Sequence, residues 1–562
     1  MYILGISAFY HDSAAVLIHD GRILCAAEEE RFSRIKHDHS FPEKAIHFCF
    51  AQAGISAVDL DSIAYYEKPL LKFERILDNF VATYPFSFIP FVKGIPEWLG
   101  SKIQVEKIIR RTTGFSGRIF FVPHHMSHGA STFYPSPFEE AAIVTIDGVG
   151  EYQTTGIWHG KGTKITRLKH IHFPHSLGLF YSAITAYLGF RVNDDEYKVM
   201  GLAAYGAPSF KDKLYQLISV KEDGSFQLNL EYFSFPYRSQ MWSKRFESLL
   251  GKARKPEDPV DKRHMDIAAT AQYVTEDAYF KILNHAHHLT GSSNICISGG
   301  VGLNALANGK LYAKTPFTHA YIFGPAGDSG GALGAALYAY HGLLGGAART
   351  EVRDLGLGSS YSNEEIESAL KKNGVHYRNI ENESELIRET ATLLHDGNII
   401  GWFQGRMEFG PRALGARSIL ARPYPSSMKD KVNKIKIREL FRPFAGSILE
   451  ERVRDYFTVT QTDRSFPFMN FCFSAIAEKC DKISAIVHAD GSTRIQTVAS
   501  DGGRYRRLIE RYDELTGCPC ILNTSFNLKG EPIVETPQQA IEDFLKTEMD
   551  TLVIGNFIVE KS

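Results

Sequence analysis

Neither sign of charge predominates in this chain of 562 residues, where 63 Lys and Arg face 64 Asp and Glu for a net charge of -1. Without a global field there is no electrostatic case for a nucleic-acid backbone or a membrane as partner, and only local patches are left to bind phosphate. Cysteine is sparse as well. The seven copies (Cys25, Cys49, Cys296, Cys472, Cys480, Cys518 and Cys520) are odd in number and fall in no metal-knuckle spacing, which suits reduced thiols rather than a disulfide framework. Cys518-Pro519-Cys520 fits neither a zinc knuckle nor a thioredoxin motif and is read as packing. No basic-then-apolar leader is found at Met1-Tyr2-Ile3-Leu4, so the expected compartment is the cytoplasm. Long apolar runs are wanting too: Gly330 to Ala348 is built of Gly and Ala more than Leu or Val, and reads as a buried helix with a glycine-rich exit rather than a membrane span.

What is present is metal-ligating chemistry. In FVPHHMSHGASTFY (121–134), His124 and His128 are four apart, so a helix starting after Pro123 puts both imidazoles on one face. Alone, such a pair is as well explained by a polar helix face. Two aspartates alter the balance: Asp147 ends a buried strand and Asp328 follows another, and two imidazoles with two carboxylates suit Fe, Mn or Zn better than Mg. His125 points elsewhere.

The first half repeats itself. Tyr2–Ser7 is a strand, His11 and Asp12 sit in a polar turn, Ser13–His19 is a second strand, and Asp20-Gly21 makes a hairpin into Ile23–Ala27. Strand, glycine turn, strand and hairpin recur from Ala141 through Asp147-Gly148-Val149-Gly150 to Lys169. Such a duplication is found in the actin-like ATPase and sugar-kinase fold, where the two first turns face each other across a nucleotide cleft. Between the repeats, residues 67–114 are aromatic and proline-interrupted and read as a mostly helical insertion. Asp266–Leu289 has a helical period. Strand Asn294–Ser298 then enters Gly299-Gly300-Val301-Gly302-Leu303-Asn304, a turn whose backbone could approach a phosphate or ribose. The Gly- and Ser-rich stretch 347–361 is the expected boundary between a domain 1–350 and a domain 360–562.

The second half is locally basic. Arg406, Arg412 and Arg417 crowd QGRMEFGPRALGARSIL, and Lys434, Lys436 and Arg438 alternate with Ile, which predicts a strand with three cations on one face. Arg442 follows. This density suits a small polyanion such as a phosphate ester, with a solvated charged surface as the competing reading. Arg494 in a hairpin-like turn, and Asn523-Thr524-Ser525 after a strand, add a cation and short polar donors.

Through LGISAFYHDSAAVLI, AAEEERFSRIKH, HHMSHGAS, TIDGVGE, KVMGLAAYG, SGGVGLNALANGKL, QGRMEFGPRALGARSIL, FRPFA, STRIQTV and NTSFN, essentially the whole chain resembles the O-carbamoyltransferases of the nodulation-factor and cephamycin type, among them tobramycin carbamoyltransferase. The resemblance implies an α/β chain with two domains: a duplicated actin-like domain related to tRNA threonylcarbamoyltransferase, then an α/β domain similar to threonylcarbamoyl-adenylate synthase. It implies that carbamoyl phosphate and ATP give carbamoyl-adenylate in the second domain, and that the first passes the carbamoyl group to an alcohol with release of AMP. By match to the family's motifs, Arg412, Lys436, Arg442, Arg494 and Ser525 hold carbamoyl phosphate and the adenylate. His124, His128, Asp147 and Asp328 bind a divalent metal, with Fe(II) the implied ion and Mg an accompaniment to ATP. His11 and Lys36 line the acyl-transfer site, with Asp12 a weaker candidate for the base; Gly299, Gly300 and Asn304 take the nucleotide.

The expected partners are carbamoyl phosphate and a hydroxylated small molecule, a natural product or sugar as in antibiotic biosynthesis. The 67–114 insertion and the loop Asn193-Asp194-Asp195-Glu196 are where an acceptor pocket would differ. A small-molecule kinase of the actin-like class would use the repeated cleft but not the basic second half. An RNA-directed ATP-binding module is opposed by the near-zero net charge.

Overall fold

Asp20 and Gly21 both take left-handed backbone angles, φ 48° and 78°, the conformation that a tight hairpin with the twist of its flanking strands requires. They join β2 (Ala14–His19) to β3 (Arg22–Glu28). In the computed structural model, which describes residues 1–460 and 465–561, β2 pairs antiparallel with β1 (Tyr2–Ser7), and β1 runs parallel to β4 (Ser62–Tyr65), itself parallel to β5 (Arg118–Phe121). The sheet order is β3-β2-β1-β4-β5.

The same order then recurs. β6 (Glu140–Ile146) pairs antiparallel with β7 (Gln153–Lys161), and β7 with β8 (Lys164–His172). After a separate small hairpin of β9 (Ile218–Val220) and β10 (Phe226–Leu228), β11 (Asn294–Ser298) joins β6 in parallel and β12 (His319–Ile322) joins β11. The order is β12-β11-β6-β7-β8. Two sheets, each an antiparallel triple extended by two parallel strands, make this a duplicated actin-like domain.

The closing helices of the two repeats hold the sheets together. Helix His124–Phe133 follows β5 but packs on β6, β7 and β11, whereas helix Asp328–Tyr338 follows β12 and packs on β1, β2 and β4. The two helices also pack on each other at Gly334, where a Cβ would stand 1.7 Å from the Ser127 carbonyl oxygen; one at Gly5 of β1 would stand 2.0 Å from that of Ala332. Neither approach tolerates a side chain.

The insertion is helical, at Pro69–Ala82, Phe88–Glu97 and Val105–Thr113. Helix Lys262–Thr290 covers the helical period read from Asp266. The Gly- and Ala-rich run forms the buried helix Asp328–Tyr338. No helix among the described residues is long and apolar enough to cross a membrane.

The chain divides into two compact units. The first comprises 1–25, 39–307 and 311–351; the second gathers 26–38 and 308–310 with 352–562. Within the second, Arg31 donates to the Gly410 carbonyl (2.7 Å), and Arg34 to those of Ile533 (2.7 Å) and Pro532 (3.0 Å). Its nine-stranded mixed sheet contains β13 (Tyr377–Asn379), β14 (Ile400–Phe403), β15 (Arg417–Ala421), β16 (Ala445–Leu449), β17 (Phe471–Ser474), β18 (Ser492–Val498), β19 (Cys520–Ser525), β20 (Thr551–Ile554) and β21 (Phe557–Glu560). The order is β13-β21-β20-β14-β15-β19-β16-β18-β17.

One local expectation fails here. Lys434 to Arg438 is no strand: helix Ser427–Ile435 runs through it, Lys436 caps the helix, and Ile437 turns out with φ 51°. The burial of Met428, Val432 and Ile435 imposes a helical period over a longer window than the two-residue alternation of Lys and Ile, and the longer period prevails. The three cations therefore do not share a strand face.

Gly334→Ala should cost about 3 kcal/mol by overpacking and lower the midpoint of thermal denaturation. Gly94→Ala, in a helix interior with nothing within 4 Å, should be neutral or slightly stabilising. A Gly334→Ala chain that melts with the wild type would refute the helix crossing.

Candidate functional site

Three separate segments converge in the first unit. Helix His124–Phe133 starts directly after Pro123, and its first N–H, from His124, donates to the Glu151 carboxylate (3.0 Å), an acid at the positive end of a helix. His124 and His128 thus project from one face, with their Nε2 atoms 3.0 Å apart. Asp147 lies in the turn just after β6. Its Oδ1 accepts from the Gly300 N–H (2.8 Å), which aims Oδ2 at His124 Nε2, 3.1 Å away. Asp328 opens the helix after β12, with Oδ1 3.4 Å from His128 Nε2 and 3.7 Å from that of His124.

All four side chains are buried, and one ligand atom from each lies within 4.8 Å of the others. Both Asp328 carboxylate oxygens and His124 Nδ1 have no hydrogen-bond partner among the described residues. A buried charged group without a partner is costly, and a carboxylate and two imidazole nitrogens aimed at one point fit a cation between them. On His128 the other ring nitrogen is settled: Nδ1 lies 3.4 Å from Ser298 Oγ, whose proton goes to the Ala326 carbonyl (3.1 Å). In the neutral ring Nδ1–H therefore donates and Nε2 keeps its lone pair, the tautomer a metal ligand needs.

The two carboxylates draw positive charge to this point. Burial alone would lower the His128 pKa, but Asp147 and Asp328 outweigh it and hold it at about 9. Against burial, the histidines keep Asp147 well below the usual carboxylate range, and Asp328 is also lowered. His125 takes no part. Its Nε2 bonds the Gln153 carbonyl (2.9 Å) and its Nδ1 Thr145 Oγ1 (2.8 Å), and burial pushes its pKa well down.

His11 lies in the turn after β1, its Nδ1 2.9 Å from Asp12 Oδ2. Burial would lower its pKa, yet Asp328, the Asp12 hydrogen bond and Asp147 raise it to about 9. The first turns of the two repeats do face each other, since a Cβ on Gly148 would stand 4.0 Å from the Tyr10 hydroxyl. Gly299 (φ 91°) donates its N–H to Ala326 while Gly300 donates to Asp147. Asn304 caps the next helix, accepting from the Ala307 N–H (3.1 Å) and exchanging amide hydrogen bonds with Gln272. The Gly300 N–H thus holds Asp147, and the Gly299 N–H holds the turn that leads to Asp328.

The second unit separates the basic residues. Lys436 is buried, and its ammonium donates to the Ser525 carbonyl, the Asn527 carbonyl (3.1 Å) and Asn527 Oδ1 (2.8 Å), with Ser525 Oγ 3.3 Å away. Burial, then Arg438 and Arg442, and more weakly Lys36, depress its pKa well below the usual lysine range. Lys36 thus lies within electrostatic reach of this cationic group. Arg494 on β18 pairs across the sheet with Cys472, and Arg494 and Arg412 both oppose the upward push of burial on that thiol.

Arg406 and Arg417 behave differently from what their crowding suggested. Arg406 donates to the Gly358 and Leu357 carbonyls. Arg417 donates to those of Gln404, Gly405 and Ser359 and lies over the Phe403 ring. Both brace the loop from inside. Sequence reasoning missed Glu408, whose buried carboxylate accepts the N–H groups of Leu414, Ala416 and Arg417 and shapes the loop that carries Arg412. It also missed Lys72 and Arg75 of the insertion, hidden in a segment read only as helical.

Residues 2–337 match the family model described as the carbamoyltransferase N-terminus, and residues 391–561 the one described as the carbamoyltransferase C-terminus. The chain is 43% identical to an uncharacterized protein of Synechocystis sp., sll1178, over all of this chain and 97% of that one. It is 36% identical to nodulation protein NolNO of Sinorhizobium fredii, over 99% of this chain and 80% of the relative. Among solved structures, component A of the Acidaminococcus fermentans (R)-2-hydroxyglutaryl-CoA dehydratase is 15% identical, over 61% of this chain and 99% of that one, with a TM-score of 0.34. The strand order rather than this superposition carries the fold assignment. With both halves matched in sequence, the chain belongs to the carbamoyltransferase family and is a transferase of carbamoyl groups.

Proposed function

We propose that the chain is an ATP-dependent O-carbamoyltransferase acting in two steps. In the second unit, carbamoyl phosphate, water and ATP give carbamoyl-adenylate, phosphate and pyrophosphate. In the first unit, the carbamoyl group passes to a hydroxyl of a small molecule, a natural product or sugar, and AMP leaves. The observation that carries this reading is the closed cluster of His124, His128, Asp147 and Asp328, with the Asp328 carboxylate buried and facing both imidazoles without a hydrogen bond, in a chain of this family. The four side chains would hold a divalent ion, iron in our reading, which supplies polarisation of a carbonyl and a leaving phosphate.

The remaining demands fall on the chain's own side chains. In the transfer step, the acceptor oxygen bonds to the carbamoyl carbon, the bond from that carbon to the phosphate oxygen breaks with its electron pair going to AMP, and the hydroxyl proton must be removed. His11 is assigned that proton: Asp12 holds its Nδ1, so Nε2 is the atom that accepts. Asp328 and Asp147 are among the groups that raise the His11 pKa, and a cation held between them would offset their charge and leave Nε2 free to accept. Gly299, Gly300 and Asn304 form the turn that takes the nucleotide of the adenylate by close approach of the backbone, while Mg accompanies ATP in the activating step.

In the activating step two anions must be held together, and cations are what the second unit offers. We assign Arg412, Arg442 and Arg494 to the phosphates. Lys436 fixes the Ser525–Asn527 segment and adds its charge, with Lys36 close enough to act on it.

The test is purified protein with ATP, carbamoyl phosphate and a panel of alcohols, followed for AMP and carbamoylated product; absence of carbamoyl-adenylate in the control without acceptor would sink the mechanism. Asp328→Asn should lose bound metal by elemental analysis and slow transfer about 100-fold while carbamoyl-adenylate still forms. His11→Ala should likewise keep adenylate formation and lose transfer by roughly 100- to 10,000-fold; loss of both steps would remove His11 as the base. Arg412→Ala should show the opposite pattern, with adenylate formation down about 100-fold.

A further inference from the structure

Large apolar side chains exposed one at a time are ordinary on a folded chain, but in the insertion they crowd at one place. Helices Pro69–Ala82 and Phe88–Glu97 meet through Phe80 and Phe91, whose rings pack edge to face with centres 5.1 Å apart. Around this junction Val81, Tyr84, Phe86, Phe88, Ile89 and Val92 are each between 54% and 80% exposed. No charged residue occurs from Asn79 to Val92. Exposed apolar side chains gathered in this way mark a surface that is covered in use.

Shape and charge decide what covers it. The six side chains come from the end of one helix, the connecting turn and the start of the next, so the apolar surface belongs to the whole tip and not to the single helix face that a protein groove takes. The flank is cationic: residues 83–114 carry Lys93, Lys102, Lys107, Arg110 and Arg111 against Glu97 and Glu106, and Glu106 is paired with Arg110 at 2.8 Å. Arg238 stands 5.7 Å from the centre of the Tyr237 ring, which lies 5.8 Å from that of Phe86. The acids of the stem lie behind the tip, where Asp78 accepts from the Tyr152 hydroxyl (2.6 Å) and Glu74 is a turn earlier. A second copy seated on the tip by a twofold axis would set these cations against themselves. An anionic bilayer meets both demands, with hydrocarbon for the apolar side chains and phosphate for the basic ones.

We propose that the insertion tip docks the protein on an anionic lipid surface, its apolar side chains entering the boundary between headgroups and acyl chains while Lys93 and Arg238 contact lipid phosphates. The chain lies on such a membrane and does not span it. Its near-neutral total charge does not oppose the contact, because the field of a charged surface falls off within a Debye length of about 8 Å and acts on the tip alone. The stem helix follows Lys68, whose N–H binds the same Glu151 carboxylate as that of His124. Its 14 residues, about 20 Å of helix, thus connect the docking surface to the candidate metal centre. The inference does not depend on the two-step reading.

The full chain should sediment with vesicles of equal parts phosphatidylcholine and phosphatidylglycerol, less with phosphatidylcholine alone, and less as salt rises. Phe88→Ser/Ile89→Ser/Val92→Ser, all at exposed positions, should lower partitioning at least about tenfold with an unchanged thermal midpoint. Lys93→Glu/Arg238→Glu should lower it about tenfold on the anionic vesicles, and it carries the test if the serine variant melts early. In Tyr84→Trp, vesicles should shift indole emission to the blue, and lipids brominated on their acyl chains should quench it beyond the wild-type response. Absence of sedimentation, or equal sedimentation by the wild type and both multiple variants, overturns the proposal. Adsorption without added quenching in Tyr84→Trp overturns entry of the tip into the bilayer. Self-association of the lipid-free chain that the serine variant abolishes, in place of vesicle binding, assigns the tip to a second copy instead.

Discussion

Two carboxylates cannot stay ionised in a dry interior at hydrogen-bonding range of each other's partners unless positive charge is delivered to the same point. The first unit is arranged to meet that constraint at Asp147 and Asp328. The imidazoles come from the last helix of the first repeat, one carboxylate from the first turn of the second, and the other from the helix that ends it. Glycine makes the approach possible. A Cβ on Gly150 would stand 2.9 Å from the His124 ring, and one on Gly300 3.1 Å from the Asp147 carboxylate that its N–H binds. The exchange of closing helices between the two sheets fixes these segments relative to one another, so the duplication of the fold and the geometry of the cluster are one design.

This explains which parts were legible beforehand. His124 and His128 could be paired because a four-residue spacing on a helix is a local fact, and Asp147 and Asp328 because each follows a buried strand. The repeat of strand, turn, strand and hairpin was visible for the same reason, since alternation and Asp-Gly are short-range signals. Lys434 to Arg438 shows the limit: five residues of apparent alternation were outweighed by the helical burial of Met428, Val432 and Ile435. The grouping of residues 26–38 with the second unit depends on what Arg31 and Arg34 reach hundreds of positions away, and no window of sequence holds that information.

The arginines make the same point in energetic terms. Arg406, Arg412 and Arg417 are indistinguishable as letters, yet the first and third donate to main-chain carbonyls and so act as internal braces. A guanidinium is useful to a ligand only where the chain has not already satisfied its donors. That is a property of the three-dimensional acceptor supply.

A net charge of -1 conceals two opposite local problems. The cluster in the first unit gathers acids that want a cation, whereas in the second unit Lys36, Lys436, Arg438 and Arg442 lie close enough that the others help depress the Lys436 ammonium. A cation-rich pocket is complementary to carbamoyl phosphate and ATP, both oxygen-rich anions; an acid-rich centre is complementary to a metal ion. Neither centre can exchange its ligand class with the other without uncompensated charge, and the proposed division between activating and transferring chemistry would follow from the sign of each field.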